Sequence, residues 1–250
     1  MSEFPEEIEE RLGWSMNSAL DAREKVKPGV YINQSVADAA MDYFEAFVLA
    51  QKPAAEPWKP VTDYSFEARK EIEGRHPDLI LEVFKPTVVV DVGCGPDAIL
   101  VRLLKERGLH QTIGLDPQIV ESPFSDRSLI RGSISDRDFC KNGTEPWADL
   151  VICREVLEHL TLIEIRRAIS NMCAMSSRMV YITTRFSSEH DILRVEGADC
   201  LDPTHITIAS KALYRLLLNL EGFIARPHLE ERMDWQNKGR CLVYERVTHG

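Results

Sequence analysis

The sequence predicts an α/β fold in which helices cover both faces of a seven-stranded sheet, and three observations carry that expectation. Val88-Val89-Val90-Asp91-Val92 is rich in β-branched residues, as a strand buried on both faces requires, and it opens into the turn Gly93-Cys94-Gly95. A second apolar stretch, Gln111-Thr112-Ile113-Gly114-Leu115-Asp116, ends in an acid about 20 residues beyond that turn. Strand-like and helix-like segments then alternate, the pattern of helices packed on a largely parallel sheet.

Taken in order, the chain opens with helical patterns. Phe4, Ile8 and Leu12 recur at helical spacing, and Val36, Ala40, Tyr43, Phe44, Phe47 and Val48 form a second stripe with Ser35 as its cap. A proline-rich connector over residues 53–60 follows. We expect residues 1–75 to be a helical extension or lid and 76–250 to be the principal domain. Residues 67–84 read as helical with an interruption at Pro77. The first strand is expected at 87–92 with its helix at 97–107, the second at 111–116, and a short third at 128–131. Residues 147–153 form the fourth, and a helix over 161–173 places Leu162, Ile165, Ile169 and Met172 on one face. The fifth strand is read at 178–184. A helix over 208–220 ends at Gly222, and two last strands fall at 223–228 and 240–246.

Composition bounds the function. With 250 residues, 44% hydrophobic and 28% charged, the chain has enough apolar material for one large core. Its net charge of −10 argues against generic binding to polyanions, although a local basic groove for RNA remains compatible with that sum. No apolar run reaches membrane-spanning length, and the acidic start is unlike a secretion signal. Six scattered cysteines (Cys94, Cys140, Cys153, Cys173, Cys200 and Cys241), mostly in apolar segments, read as core residues of a cytoplasmic protein.

The glycine turn lets the backbone pass close to a ligand and frees the amides of the next helix to meet polar atoms. An acid ending the second strand is placed to accept both hydroxyls of a ribose. Nicotinamide enzymes and S-adenosylmethionine enzymes both meet this geometry, but the turn lacks the third glycine of a pyrophosphate site. Strand-Asp91-x-Gly93-x-Gly95 followed by strand-Gly114-Leu115-Asp116 resembles the class I S-adenosylmethionine-dependent methyltransferases. That resemblance covers about residues 76–248 and implies a Rossmann-like mixed sheet whose last strand is antiparallel. It implies S-adenosyl-L-methionine as cofactor, with Asp91, Gly93, Cys94, Gly95, Asp116, Pro117, Ser133, Ile134 and Glu155 around it; Ser133 and Ile134 fall in the loop that holds the adenine, and Asp136 is nearby.

Arg154-Glu155-Val156-Leu157-Glu158-His159-Leu160 follows the fourth strand, and His205 lies in Asp202-Pro203-Thr204-His205 beyond the fifth. A hydroxyl acceptor needs a base or a metal to become a good nucleophile. Glu158, His159 and His205 are the candidate catalytic residues, and two readings stay open. In one, His159 lines the pocket and acts as a metal-free base. In the other, Glu155, Glu158, His159 and His205 surround a divalent Mg, Mn, Fe or Zn ion, because positions three and four apart share a helical face. The Glu-x-x-Glu-His segment looks like the ubiquinone-biosynthesis O-methyltransferases and the small-RNA 2′-O-methyltransferases, but the chain lacks the downstream His-x-His and Phe-Glu-Trp of the RNA enzymes. Arg185, directly after the fifth strand, either faces solvent or meets an anionic acceptor, and His190 is a lesser candidate in the same loop. The expected activity is O-methylation of a small molecule such as a sugar or aromatic hydroxyl. An RNA 2′-hydroxyl is the alternative, and a non-catalytic binding protein on the same fold is the alternative of another class.

Overall fold

Val89–Val92 forms β1, buried along its whole length, and the sheet is assembled on its two edges. The protein is described from a computed structural model that places Lys70 and residues 73–119, 128–136, 146–186, 193–194, 205–234 and 239–247. The two N-terminal helices expected from the sequence lie outside these residues. β2 (Thr112–Asp116) pairs parallel to one edge of β1 and β4 (Ala148–Arg154) to the other. β3 (Leu129–Arg131) extends the β2 side, and β5 (Ser176–Thr183) runs parallel to β4. Two antiparallel strands, β8 (Phe223–Ala225) and β9 (Cys241–Arg246), complete the order β3-β2-β1-β4-β5-β9-β8. A short separate ribbon pairs β6 (Leu193–Arg194) with β7 (Ile208–Ala209). The seven-stranded mixed sheet expected from the sequence is therefore present.

Alternation along each strand divides the core into two layers. Val90, Val92, Val151, Cys153, Val180, Ile182, Leu242 and Tyr244 pack with α3 (Leu162–Met175) and α4 (Lys211–Leu220). On the other face Val89, Leu150, Ile152, Met179, Tyr181 and Val243 meet α1 (His76–Phe84), α2 (Ile99–Glu106) and α5 (Pro227–Met233) through Ile80, Phe84, Leu100, Leu104 and Met233. A Leu or Ile fully buried in such a layer contributes roughly 1.5–3 kcal/mol, so the sheet is fixed far more firmly than its loops. All five parallel strands end at one edge, and the strand order reverses direction between β2 and β4, on either side of β1. In open α/β sheets that crevice is where ligands bind.

Several boundaries differ from the sequence reading for local reasons. Helix at Lys70 and Glu73 gives way to a turn at Gly74 and Arg75. α1 resumes at His76 with Pro77 in its first turn, where its missing N–H costs nothing, so the interruption falls just before the proline. α4 begins at Lys211 and not at 208. The Ser210 hydroxyl caps it by accepting from the Leu213 N–H at 3.2 Å, and the residues before it are taken into β7. The strand expected at 223–228 stops at Ala225 because Pro227 opens α5, a helix the sequence reading did not foresee. Thr161 and Glu164 close a capping box at the start of α3.

Candidate active site

The turn after β1 depends on left-handed backbone, with φ of 70° at Gly93 and 72° at Gly95, a region that glycine enters without a Cβ penalty. A Cβ on Gly93 would stand 2.1 Å from Val156 Cγ2. The glycine thus admits the chain leaving β4, where the sequence reading assigned the space to a ligand. The N–H groups of Gly93 and Cys94 donate to the Leu115 carbonyl at 2.7 and 3.3 Å. The Gly95 N–H donates to Asp116 Oδ2 at 3.0 Å, and the Gln118 N–H donates to Asp116 Oδ1 at 2.7 Å. Two backbone amides therefore aim the Asp116 carboxylate, and each oxygen retains a lone pair for a further donor. Pro117 is exposed in the same bend.

Cys94 packs its side chain against a small cluster of Ala98, Val101, Ile119 and Leu129, and burial pushes its thiol well above the usual range. Only its backbone is suited to a cofactor contact. Asp91 is buried beneath the turn. Desolvation drives its carboxyl up to about 7, and the Arg154 guanidinium opposes that shift. The loop after β3 closes on itself: the Ser133 hydroxyl hydrogen-bonds the Ser135 hydroxyl at 2.9 Å, and the Ser133 N–H donates to Asp136 Oδ2 at 3.2 Å. Asn171 on α3 clamps it by donating to the Ile134 carbonyl at 2.6 Å, and the Ile134 side chain joins the core.

Charge gathers where β4 exits. Arg154 grips Glu73 with both terminal nitrogens, Nη1 to Oε2 at 2.8 Å and Nη2 to Oε1 at 2.9 Å. Glu73 Oε2 also stands 3.4 Å from His76 Nδ1, and His76 Nε2 meets the Tyr181 hydroxyl at 3.0 Å. Burial works against ionisation of Glu73, yet His76 and Arg154 hold its carboxyl down to about 2. Burial and the neighbouring guanidinium push the His76 imidazole down to about 4. The sequence reading missed this network. Its one visible signal was an arginine ending a buried strand, a position that demands a partner.

The next residue, Glu155, has a left-handed backbone (φ 51°) and is exposed, with Oε2 3.8 Å from Arg240 Nη1. That bend breaks the helical face expected to join Glu155 to Glu158 and His159, and only a short 3-10 turn, Leu157–His159, follows. The ligating atoms of Glu158, His159 and His205 nevertheless lie within 4.8 Å of one another, and Glu155 stands outside this group. The Glu158 side chain is buried: Oε2 accepts from the Thr184 hydroxyl at 2.7 Å, and Oε1 has no hydrogen-bond partner. Burial, and then the Glu155 carboxylate, raise the Glu158 carboxyl above its ordinary value. Its carbonyl accepts from Ile206 N–H at 2.9 Å and Thr207 N–H at 3.1 Å, which seats His205 beside it. The rings of His159 and His205 are 4.8 Å apart, His205 buried and His159 half-buried. One oxygen of the Glu158 carboxylate, whose Oε1 is buried without a hydrogen-bond partner, and two imidazole nitrogens form a donor set that fits a divalent cation. Arg185 follows β5, half-buried, and His190 lies outside the described residues.

Contacts link these segments to their neighbours: Gly95 to Asp116, Gly93 to Val156, Glu158 to Thr184, and Glu158 to the 205–207 segment. A family model described as a methyltransferase domain matches residues 66–223, a span containing every element of this cluster. The chain belongs to the class I S-adenosylmethionine-dependent methyltransferases. Solved structures share the fold at low identity. A sugar N-methyltransferase from Streptoalloteichus is 13% identical with a TM-score of 0.53, over 79% of this chain and 98% of that one. A didemethyltoxoflavin N1-methyltransferase from Burkholderia thailandensis, solved with its substrate and S-adenosylhomocysteine, is 13% identical with a TM-score of 0.50, over 89% and 94%. An O-methyltransferase family protein of the same organism is 14% identical with a TM-score of 0.50, over 74% of this chain and 59% of its own length. The chain thus spans under two thirds of that relative. No curated protein matches the sequence. No helix among the described residues is long and apolar enough to cross a membrane.

Proposed function

We propose that this methyltransferase transfers the methyl group of S-adenosylmethionine to a hydroxyl of a small molecule, with Glu158, His159 and His205 holding a divalent cation at the acceptor side. In this reading Asp116 accepts from the ribose hydroxyls and the loop of Ser133 and Ile134 borders the adenine. Asp91 and the backbone of Gly93, Cys94 and Gly95 line the remainder, with Glu155 at the rim. The observation that carries the reading is the Glu158 carboxyl, buried with one oxygen within 4.8 Å of two imidazole nitrogens and with its Oε1 lacking a hydrogen-bond partner. Such an oxygen costs on the order of 1–3 kcal/mol unless something binds it. A cation supplies the Lewis acid that lowers the pKa of an acceptor hydroxyl, a need that hydroxyls have and neutral amines lack. The chain's own residues do the rest: the backbone of the glycine turn and Asp116 orient the donor, and His159, the more open imidazole, faces incoming acceptor. The net charge of −10 favours a small acceptor over RNA. The free thiols of Cys94, Cys153, Cys173 and Cys241 suit the cytoplasm.

Methyl transfer to a panel of sugars, phenols and short RNAs, measured before and after chelation, tests this reading. Activity on a small hydroxyl compound that falls with EDTA and returns with Mn²⁺ or Mg²⁺ is expected. Full activity in EDTA, with His159→Ala inactive, assigns His159 as a metal-free base and removes the cation.

A further inference from the structure

We propose that Thr184 is a positioning residue for this cluster: its hydroxyl fixes the Glu158 carboxylate so that one oxygen is left to bind the cation. The inference rests on the cation reading given above and adds a residue that the motif itself does not contain. Thr184 follows β5 directly and is fully buried. Its N–H donates to the Arg240 carbonyl at 3.2 Å, so its backbone is tied to the start of β9 and cannot swing with the loop beyond it. From that anchored point Oγ1 donates to Glu158 Oε2 at 2.7 Å.

The consequence lies in what each oxygen of Glu158 can then do. A carboxylate free to rotate presents either oxygen in many orientations. A hydroxyl donor held by a strand end selects one oxygen and fixes the plane, leaving Oε1 as the oxygen with nothing bound. The same residue is restrained on its other side, because the Glu158 carbonyl receives the Ile206 and Thr207 N–H groups and brings His205 to the cluster. Three chain segments, the β4 exit, the β5 end and the 205–207 strip, thus meet at Glu158. Thr184 contributes the hydroxyl that donates to the Glu158 carboxylate. Tyr214 closes the back of the arrangement. It is fully buried, its ring lies edge-on to Phe186 at 5.6 Å, and its hydroxyl stands within hydrogen-bonding reach of Thr184. A methyl-for-hydroxyl exchange at Thr184 keeps the shape of this pocket and deletes the donor to Glu158.

The test measures Mn²⁺ binding to the full chain by calorimetry, with S-adenosylhomocysteine affinity and thermal melting recorded on the same samples. Thr184→Val is expected to weaken Mn²⁺ binding by about 10–100-fold, the usual effect of losing a donor behind a metal ligand. Thr184→Ser, which keeps the donor, is expected to bind Mn²⁺ within about threefold of the wild type, whereas 10–100-fold would be lost without it. S-adenosylhomocysteine affinity should be unchanged in both, which a general loss of structure would not allow. Should Thr184→Val fail to fold, Thr184→Ala is measured in its place with the same expectation. Wild-type Mn²⁺ affinity in the valine or alanine variant, with Glu158→Gln showing the loss, overturns the role of Thr184 and leaves the cation site standing. No saturable Mn²⁺ binding by the wild type overturns the cation reading and this inference together.

Discussion

Acidification should draw down the stability that the buried network at the β4 exit supplies. His76 titrates near 4 in the folded state against 6.5 for a free imidazole, because burial and Arg154 disfavour its charged form. The sign follows from proton uptake. Below about 6.5 the unfolded chain binds a proton that the folded chain refuses, so stability falls as pH drops from there to about 4 and is unaffected at higher pH. At about 1.4 kcal/mol per pH unit, the full effect is roughly 3 kcal/mol, a large part of the 5–15 kcal/mol that a domain possesses. Glu73, held to about 2 by His76 and Arg154 against the opposing pull of burial, acts in the same direction over a lower window, from about 4.5 down to 2. The two side chains share a contact, so their effects are coupled and not additive. Asp91 and Glu158, whose carboxyls burial pushes up, act in the opposite sense over this window. The comparison is therefore with His76→Gln: between pH 7.5 and pH 4.5 the urea midpoint of the wild type should fall relative to that of the variant. A difference between wild type and His76→Gln that does not change with pH over this range refutes the reading of His76 as a buried neutral imidazole.

Three further outcomes bear on the site. Asp116→Asn should weaken S-adenosylhomocysteine binding about 10–100-fold in calorimetry, because a charged acceptor is lost and one amide now faces a donor; unchanged affinity removes Asp116 from the cofactor site. Gly114→Ala should destabilise by about 1–3 kcal/mol in urea, since its Cβ would come within 2.7 Å of Cys94 Sγ and 2.8 Å of Leu129 Cδ2. A wild-type midpoint there would show that the glycine turn has room to shift. Removing residues 1–60 should lower acceptor turnover more than cofactor affinity, given their aromatic stripe and proline-rich connector; full turnover by the shortened chain leaves that stretch without a catalytic part.

The sheet was legible because each of its buried strands carries its own signal. Val88 to Val92, Leu150 to Cys153 and Met179 to Ile182 are short apolar runs that water would disfavour anywhere but between two layers. The glycine turn and Asp116 were legible for a related reason, since a left-handed turn and a strand-ending acid are local features of the chain. Long-range partners were not. Nothing in the sequence near Arg154 names Glu73, 81 residues away, and nothing near Glu158 names Thr184, 26 residues away. The helical face assumed for Glu155, Glu158 and His159 failed because spacing gives a common face only if the backbone is helical, and Glu155 takes a left-handed bend. The helix at Pro227–Met233 went unseen since seven residues hold less than two turns of periodicity.

The most direct measurement is a crystal of the full chain grown with S-adenosylhomocysteine and Mn²⁺, with diffraction recorded at the manganese absorption edge. An anomalous peak bounded by Glu158, His159 and His205 is expected, with the ribose hydroxyls of the bound nucleoside on Asp116. S-adenosylhomocysteine seated on Asp116 with no manganese peak at those three side chains would contradict the cation site, and a nucleoside bound away from Asp116 would contradict the cofactor site.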